Sequence, residues 1–228
     1  MVIWLPLSYF LTTVAVKTAV QKPLAAFWQK AEDFKLLVKL RLTTTVVFTS
    51  VMAYLIAVPG PASGLGIAVL CLGGFLVTAA ANILNQVLEK DFDRLMKRTA
   101  NRPLATGRMK VADAVLMAGL MSMVGITALA FFNPWTAFFG TLALVSYAFL
   151  YTPLKRISPI AVAVGAIPGA LPTLIGAAAA EGYISALGLT LFTIQFFWQF
   201  PHFWSIAWLG KEDYELAGYK LLPGPEGQ

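Results

Sequence analysis

Six runs of roughly twenty mostly apolar residues dominate this chain, covering about 42–59, 65–88, 112–131, 134–153, 159–180 and 184–208. A bilayer core about 30 Å thick is crossed by about twenty residues of α-helix, and nothing inside it but the segment itself can satisfy the backbone N–H and C=O groups. Membrane strands need only about ten residues and alternate in polarity, which these runs do not. The sequence therefore predicts an all-α fold, a polytopic transmembrane helical bundle. Composition agrees, since 58% of the 228 residues are hydrophobic and 12% charged, more apolar surface than a soluble domain of this length can bury. The lone cysteine, Cys71, lies inside an apolar run with no partner for a disulfide or thiolate cluster, and reads as a packing residue. Within "GAIPGALPTLIG", residues 165–176, the sequence predicts a helix kinked near Pro168 and Pro172.

Orientation follows from the 17 lysines and arginines. They fall before the first run or in alternate connections: Lys17 to Arg41, Lys90 to Lys110, Lys155 and Arg156, and Lys211 and Lys220. The intervening connections "PGPAS", "FNPW" and "EGY" carry none. By the positive-inside rule the basic connections face the cytoplasm. The net charge of +6 is thus a topology signal with some attraction to anionic membrane lipid, and it implies no nucleic acid.

Two regions are expected. Residues 1–41 form an N-terminal apolar and interfacial segment: 1–16 are too short to span and lack the positive lead of a signal peptide, while 21–41 mix lysines and apolar positions as an interfacial amphipathic helix does. Residues 42–228 form the membrane domain.

Chemistry concentrates in "NQVLEKDFDRLMKRTANRP", residues 85–103, at the end of the second run. On a helix Asn85, Glu89 and Asp93 stand at i, i+4 and i+8 and share one face, Asn82 joins them a turn earlier, and Asp91 points elsewhere. Two carboxylates and an amide suit Mg2+, which takes few protein oxygens and completes its shell with water and phosphate. The basic residues that follow, Arg94, Lys97, Arg98 and Arg102, suit phosphate oxygens. Acid for metal and base for phosphate at a membrane surface point to a lipid diphosphate. The competing reading is a solvated positive-inside anchor, against which stands the cost of Asn82 and Asn85 in an apolar run. A second polar cluster, Gln195, Gln199 and His202 followed by Glu212, Asp213 and Glu215, falls on the same side and is expected to face the first across one cavity.

"NQVLEKDFDRLMKRTANRPLATG", "YTPLKR" and "PHFWSIAWLGKEDYELAGYKLLP" together resemble the signatures of the UbiA-type intramembrane prenyltransferases, and within them the haem-farnesylating branch, from about residue 35 onward. The family motif N-x3-D-x3-D falls on Asn85, Glu89 and Asp93, with glutamate in place of the first aspartate. Its second acidic motif leaves Asp213 as the confident match, with Glu212 and Glu215 as helpers. The resemblance implies catalytic and Mg2+-binding roles for Asn85, Glu89, Asp93 and Asp213. It gives diphosphate binding to Arg98 and Arg102, and to Lys155 and Arg156, for which haem propionates or plain anchoring are the alternatives. His202 would orient or ligate haem iron or move a proton, a satisfied structural histidine being the alternative. Implied substrates are farnesyl diphosphate and haem B, whose 2-vinyl group is alkylated to give haem O for haem-copper oxidases, with a haem A synthase downstream. The implied location is the inner (cytoplasmic) membrane, with the site facing the cytoplasm. The rival readings are prenylation of a quinone precursor or other aromatic ring, and a divalent-cation channel whose acids line a pore. The family is built of nine transmembrane helices against six here, so the chain is expected to be truncated at its C-terminus and inactive alone.

Overall fold

The computed structural model of this chain describes residues 26–223. The expectations for residues 1–25, which include the start of the interfacial helix expected over 21–41, and the final segment 224–228 lie outside the described residues. The chain divides into two compact units, Met1–Leu36 and Leu37–Gln228. In the first, residues 26–36 are helical (α1). Gln29 Nε2 donates to Asp33 Oδ1 at 3.2 Å and Lys35 pairs with Glu32 at 2.7 Å, the i+4 and i+3 neighbours of a helix surface.

The second unit is helical throughout its regular elements, with no strand among the described residues. It comprises α2 (Leu40–Ala57), α3 (Gly64–Asp93), α4 (Val111–Ala130), α5 (Pro134–Val145), a π-helical segment (Ser146–Tyr151), α6 (Thr152–Leu154), α7 (Ala161–Glu181), α8 (Ala186–Leu209) and α9 (Lys211–Leu216). Polar caps start several of these helices. Ser63, Asn133 and Ser185 each accept from a backbone N–H three residues on, and Pro134 follows Asn133 at the first helical position, where no N–H is needed.

Among the described residues five helices are long and apolar enough to cross a membrane: α2, α3, α4, α5 through α6 (Pro134–Leu154), and α7. The sixth expected span differs. It is present as α8, 24 residues long, but is not among those five, since Gln195, Gln199 and His202 interrupt its apolar run. Length is kept, while aromatic and amide side chains replace the aliphatic ones.

Helix α7 is the centre of the bundle. Buried positions make up 78% of its most apolar stretch, against 22–44% for the other four spans, and it packs on α2, α5 and α8. Small residues allow this. A Cβ on Gly176 would lie 2.0 Å from the Ser50 carbonyl oxygen of α2, and one on Gly165 would lie 2.6 Å from the Tyr151 ring. Pro168 and Pro172 sit inside one uninterrupted helix. Beside them Gln199 Nε2 of α8 donates to the Gly169 carbonyl at 3.2 Å, so a neighbouring helix supplies polar contact where the prolines weaken the ladder.

The entry to α2 positions the chemistry. Gln86 Nε2 of α3 donates to the Leu37 carbonyl at 2.7 Å, Asn82 Nδ2 donates to the Val38 carbonyl at 3.4 Å and to Thr43 Oγ1 at 3.1 Å, and Thr43 Oγ1 donates to Val38 at 2.6 Å. Leu37 and Val38 are fully buried under these bonds. Lys39 follows in the left-handed region (φ 48°, ψ 58°), the only described non-glycine residue with positive φ. That conformation costs a lysine about 1–2 kcal/mol, and it directs the side chain back toward α3.

Candidate active site

The last two turns of α3 carry the expected face. Asn85, Glu89 and Asp93 are all buried, at 1%, 5% and 1% exposure. Asp91 is exposed and pairs with Arg94 at 3.3 Å. Each polar group on the buried face meets a partner from another part of the chain. Lys39 Nζ donates to Asn85 Oδ1 at 2.7 Å and to the Tyr147 hydroxyl at 3.3 Å. Asn85 Nδ2 donates to Glu89 Oε2 and to Thr152 Oγ1, both at 2.9 Å. Lys155 pairs with Glu89 while lying between the rings of Tyr151 and Tyr219, 5.0 and 5.1 Å from their centroids. Arg102 Nη1 lies 2.8 and 2.7 Å from the two carboxylate oxygens of Asp93.

Arg102 reaches Asp93 because residues 94–109 fold back as a chain of turns. Thr99 Oγ1 donates to the Asp93 carbonyl at 2.9 Å, Arg94 Nε to Ala105 at 2.6 Å, and Arg108 Nη2 to Asn101 at 2.7 Å. Gly107, at φ 77°, makes the left-handed turn that closes this segment. Helix α9 docks onto it. Both carboxylate oxygens of Asp213 accept backbone N–H groups, from Lys97 and Arg98 at 3.3 Å each, and Arg98 Nη2 donates to the Tyr214 hydroxyl at 3.1 Å. The chain then returns over Lys155, whose carbonyl accepts from Lys220 N at 2.7 Å, and Tyr219 buries itself beside Glu89.

The electrostatics are tightly balanced. Burial pushes the Lys39 pKa well below the ordinary lysine range; the positive charges of Arg102 and Lys155 act in the same direction, and Glu89 and Asp93 oppose them. Burial and the adjacent Glu89 charge push the Tyr219 phenol up, and burial does the same for Tyr214. Three basic side chains, Lys39, Lys155 and Arg102, meet Asn85 and the two carboxylates of Glu89 and Asp93 in one buried cluster. Such an arrangement can exchange partners, its acids taking a metal and its bases an anion.

The structure thus brings together Asn85, Glu89, Asp93, Arg102 and Lys155, while Asp213 of α9 bonds the backbone of Lys97 and Arg98 on the 94–109 segment. Arg156 is turned outward, its guanidinium 4.0 Å above the Phe92 ring. His202 stacks on Trp198 at 4.6 Å, and its neighbour Phe203 packs on Tyr151. Glu215 is paired with Lys211 at 3.5 Å on the surface. Sequence reasoning missed Lys39, Tyr147, Thr152 and Tyr219 as site residues. The signal for Thr152 lay in the middle of "YTPLKR". Lys39 offered none beyond its place just before an apolar run.

Comparison with known proteins identifies the family. Residues 46–227 match the UbiA prenyltransferase family. The protoheme IX farnesyltransferase of Cytophaga hutchinsonii is 47% identical over 193 residues, 84% of this chain and 68% of that protein. The protein of the same name from Christiangramia forsetii is 43% identical over 206 residues, 90% of this chain and 67% of its own. The chain thus spans about two thirds of the length of these curated relatives. Among solved structures, a UbiA homologue from Archaeoglobus fulgidus bound to GPP and Mg2+ superposes with a TM-score of 0.70 at 17% identity, covering 82% of this chain and 66% of that one. With a buried Asn85–Glu89–Asp93 face, a basic partner on each of its three residues and this breadth of sequence match, the chain is a multi-pass membrane protein that belongs to the UbiA prenyltransferase family.

Proposed function

We propose that this chain carries the diphosphate-handling part of an enzyme that transfers a farnesyl group from farnesyl diphosphate to the 2-vinyl group of haem B, giving haem O. The observation that carries the reading is the buried Asn85–Glu89–Asp93 face with Arg102 and Lys155 paired to its carboxylates, in a chain 47% identical to a protoheme IX farnesyltransferase.

The donor set fits Mg2+. Among the described residues no three His, Cys, Asp or Glu side chains converge, so the protein alone does not enclose an ion, and Mg2+ characteristically binds through one or two carboxylates plus substrate phosphates. Asn85, Glu89 and Asp93 would hold it, with Asp213 of α9, now bonded to the backbone N–H groups of Lys97 and Arg98, as a further ligand. Bound there, Mg2+ supplies charge neutralisation for a departing diphosphate. The chain's own cations do the rest. Arg102 and Lys155, released from Asp93 and Glu89, bind the diphosphate oxygens, and Arg98, now bonded to the Tyr214 hydroxyl, would join them. The C1–O bond of the farnesyl group breaks with its electron pair leaving on the diphosphate. The vinyl terminus attacks C1, and water adds at the carbon left cationic beside the porphyrin, giving up a proton to solvent. The rings of Tyr147, Tyr151 and Phe203, which pack on one another, would keep water from the allylic cation before the vinyl group reaches it.

The site would face the cytoplasm from the inner membrane, since the lysines and arginines lie in the connections at its end of the bundle, and the product would pass to a haem A synthase. Residues 42–228 act as the membrane domain, with 1–41 as an interfacial segment. Incubation of membranes with Mg2+, farnesyl diphosphate and haem B tests the reading, using this chain joined to the part of the C. hutchinsonii relative that it does not cover. Mass spectrometry is expected to detect haem B plus one farnesyl group and one hydroxyl group. Farnesylation of a quinone precursor in place of haem would overturn it.

A further inference from the structure

The span from Pro134 to Leu154 changes to π-helical geometry over Ser146–Tyr151. Such insertions alter which carbonyls are available and occur frequently at functional sites. Here the Tyr147 carbonyl accepts both from the backbone N–H of Thr152 and from its hydroxyl, the latter at 2.8 Å. Because the Thr152 hydroxyl spends its proton on Tyr147, its lone pairs are left as acceptors, and Asn85 Nδ2, 67 positions earlier in the chain, donates to them at 2.9 Å.

A side-chain amide has a donor end and an acceptor end, and only the acceptor end binds a cation. Asn85 uses its two amide hydrogens on Thr152 Oγ1 and Glu89 Oε2, which turns Oδ1 the other way. The Lys39 ammonium already sits on that oxygen at 2.7 Å, so the oxygen is presented to a cation. Rotating the amide by half a turn would set its NH2 against the ammonium and leave its oxygen facing the Glu89 carboxylate.

We propose that Thr152 is a positioning residue of the metal site: its hydroxyl, held by the π-helical Tyr147 carbonyl, fixes the Asn85 amide with Oδ1 aimed at the metal and diphosphate. This rests on the reading of Asn85 as a metal ligand. Thr152 is 2% exposed and acts through Asn85. Groups that orient metal ligands in this way are worth about 10- to 100-fold in metal affinity. Thr152→Val keeps the shape and the backbone bond to Tyr147 while removing the hydroxyl.

The test titrates Mn2+ against the protein in lipid nanodiscs with inorganic pyrophosphate and without haem, following the bound ion by electron paramagnetic resonance. Thr152→Val is expected to weaken Mn2+ binding about 10-fold, Thr152→Ser to bind as the parent does, and Asn85→Ala to bind more weakly than either. Thermal melting of each variant is measured alongside. Parental affinity in Thr152→Val, with Asn85→Ala weakened, overturns the positioning role alone. Parental affinity in both overturns the reading of Asn85 as a ligand and the role of Thr152 with it. Equal losses in the Val and Ser variants, tracking lowered melting temperatures, overturn the proposal in favour of a purely structural hydroxyl.

Discussion

One guanidinium nitrogen of Arg102 lies 2.8 and 2.7 Å from the two oxygens of Asp93, nine positions earlier in the chain, with the Asp93 side chain 1% exposed and that of Arg102 15%. The pair ties the end of α3 to the segment that follows it. Asp93→Ala is expected to lower Mg2+-dependent turnover of the complete enzyme by at least about 100-fold, with membrane insertion intact. Asp91→Ala removes an exposed carboxylate paired only to Arg94 at 3.3 Å, and turnover should change less than about twofold. Equal losses at both positions, measured as initial rates of haem O formation, would contradict the assignment of the α3 face.

The buried Lys155–Glu89 pair should be strongly coupled. Side-chain exposure is 10% and 7%, so removal of either partner strands a charge at a cost of about 3–5 kcal/mol. Lys155→Met and Glu89→Gln are each expected to destabilise the protein, and the double variant less than the sum of the two. A double-mutant cycle on unfolding in detergent checks this, and additive effects would rule out the pair as a stabilising contact.

Lys39 makes stability depend on pH. Its pKa in the folded protein lies well below the ordinary value of 10.5, so between the two values the unfolded chain binds more protons than the folded one. Stability contributed through this group therefore rises with pH across that window. Subtracting the unfolding profile of Lys39→Met from that of the parent should leave a positive slope that ends near 10.5. A flat difference would mean that the ammonium is not desolvated by the fold.

The contact of α2 with α7 has no room for a methyl group at Gly176, where a Cβ would meet backbone atoms of Ser50 and Tyr54 at 2.0–2.9 Å. Gly176→Ala should cost about 1–3 kcal/mol or more. Gly60→Ala, where nothing lies within 4 Å of the added carbon, should leave the melting temperature within about 1 °C. Comparable melting of the two variants would show that α2 and α7 can separate without loss.

Much of this was written in the sequence because its signals are local. Apolar length specified helices that cross a bilayer, since no shorter or more polar segment satisfies its backbone there. The 3.6-residue period placed Asn85, Glu89 and Asp93 on one face, and all three are buried together as that period requires. The lysine and arginine pattern set apart the end of the bundle that carries the site. Tertiary structure decided which partners those acids meet. Lys39 reaches Asn85 across 46 positions, and Thr152 reaches it across 67, through a left-handed residue held by Gln86 and Asn82 and through a π-helical segment of the fourth span. Neither feature has a period or composition of its own. Each exists because buried amides and hydroxyls, with no water to bond, must find their partners in whichever helix packs alongside.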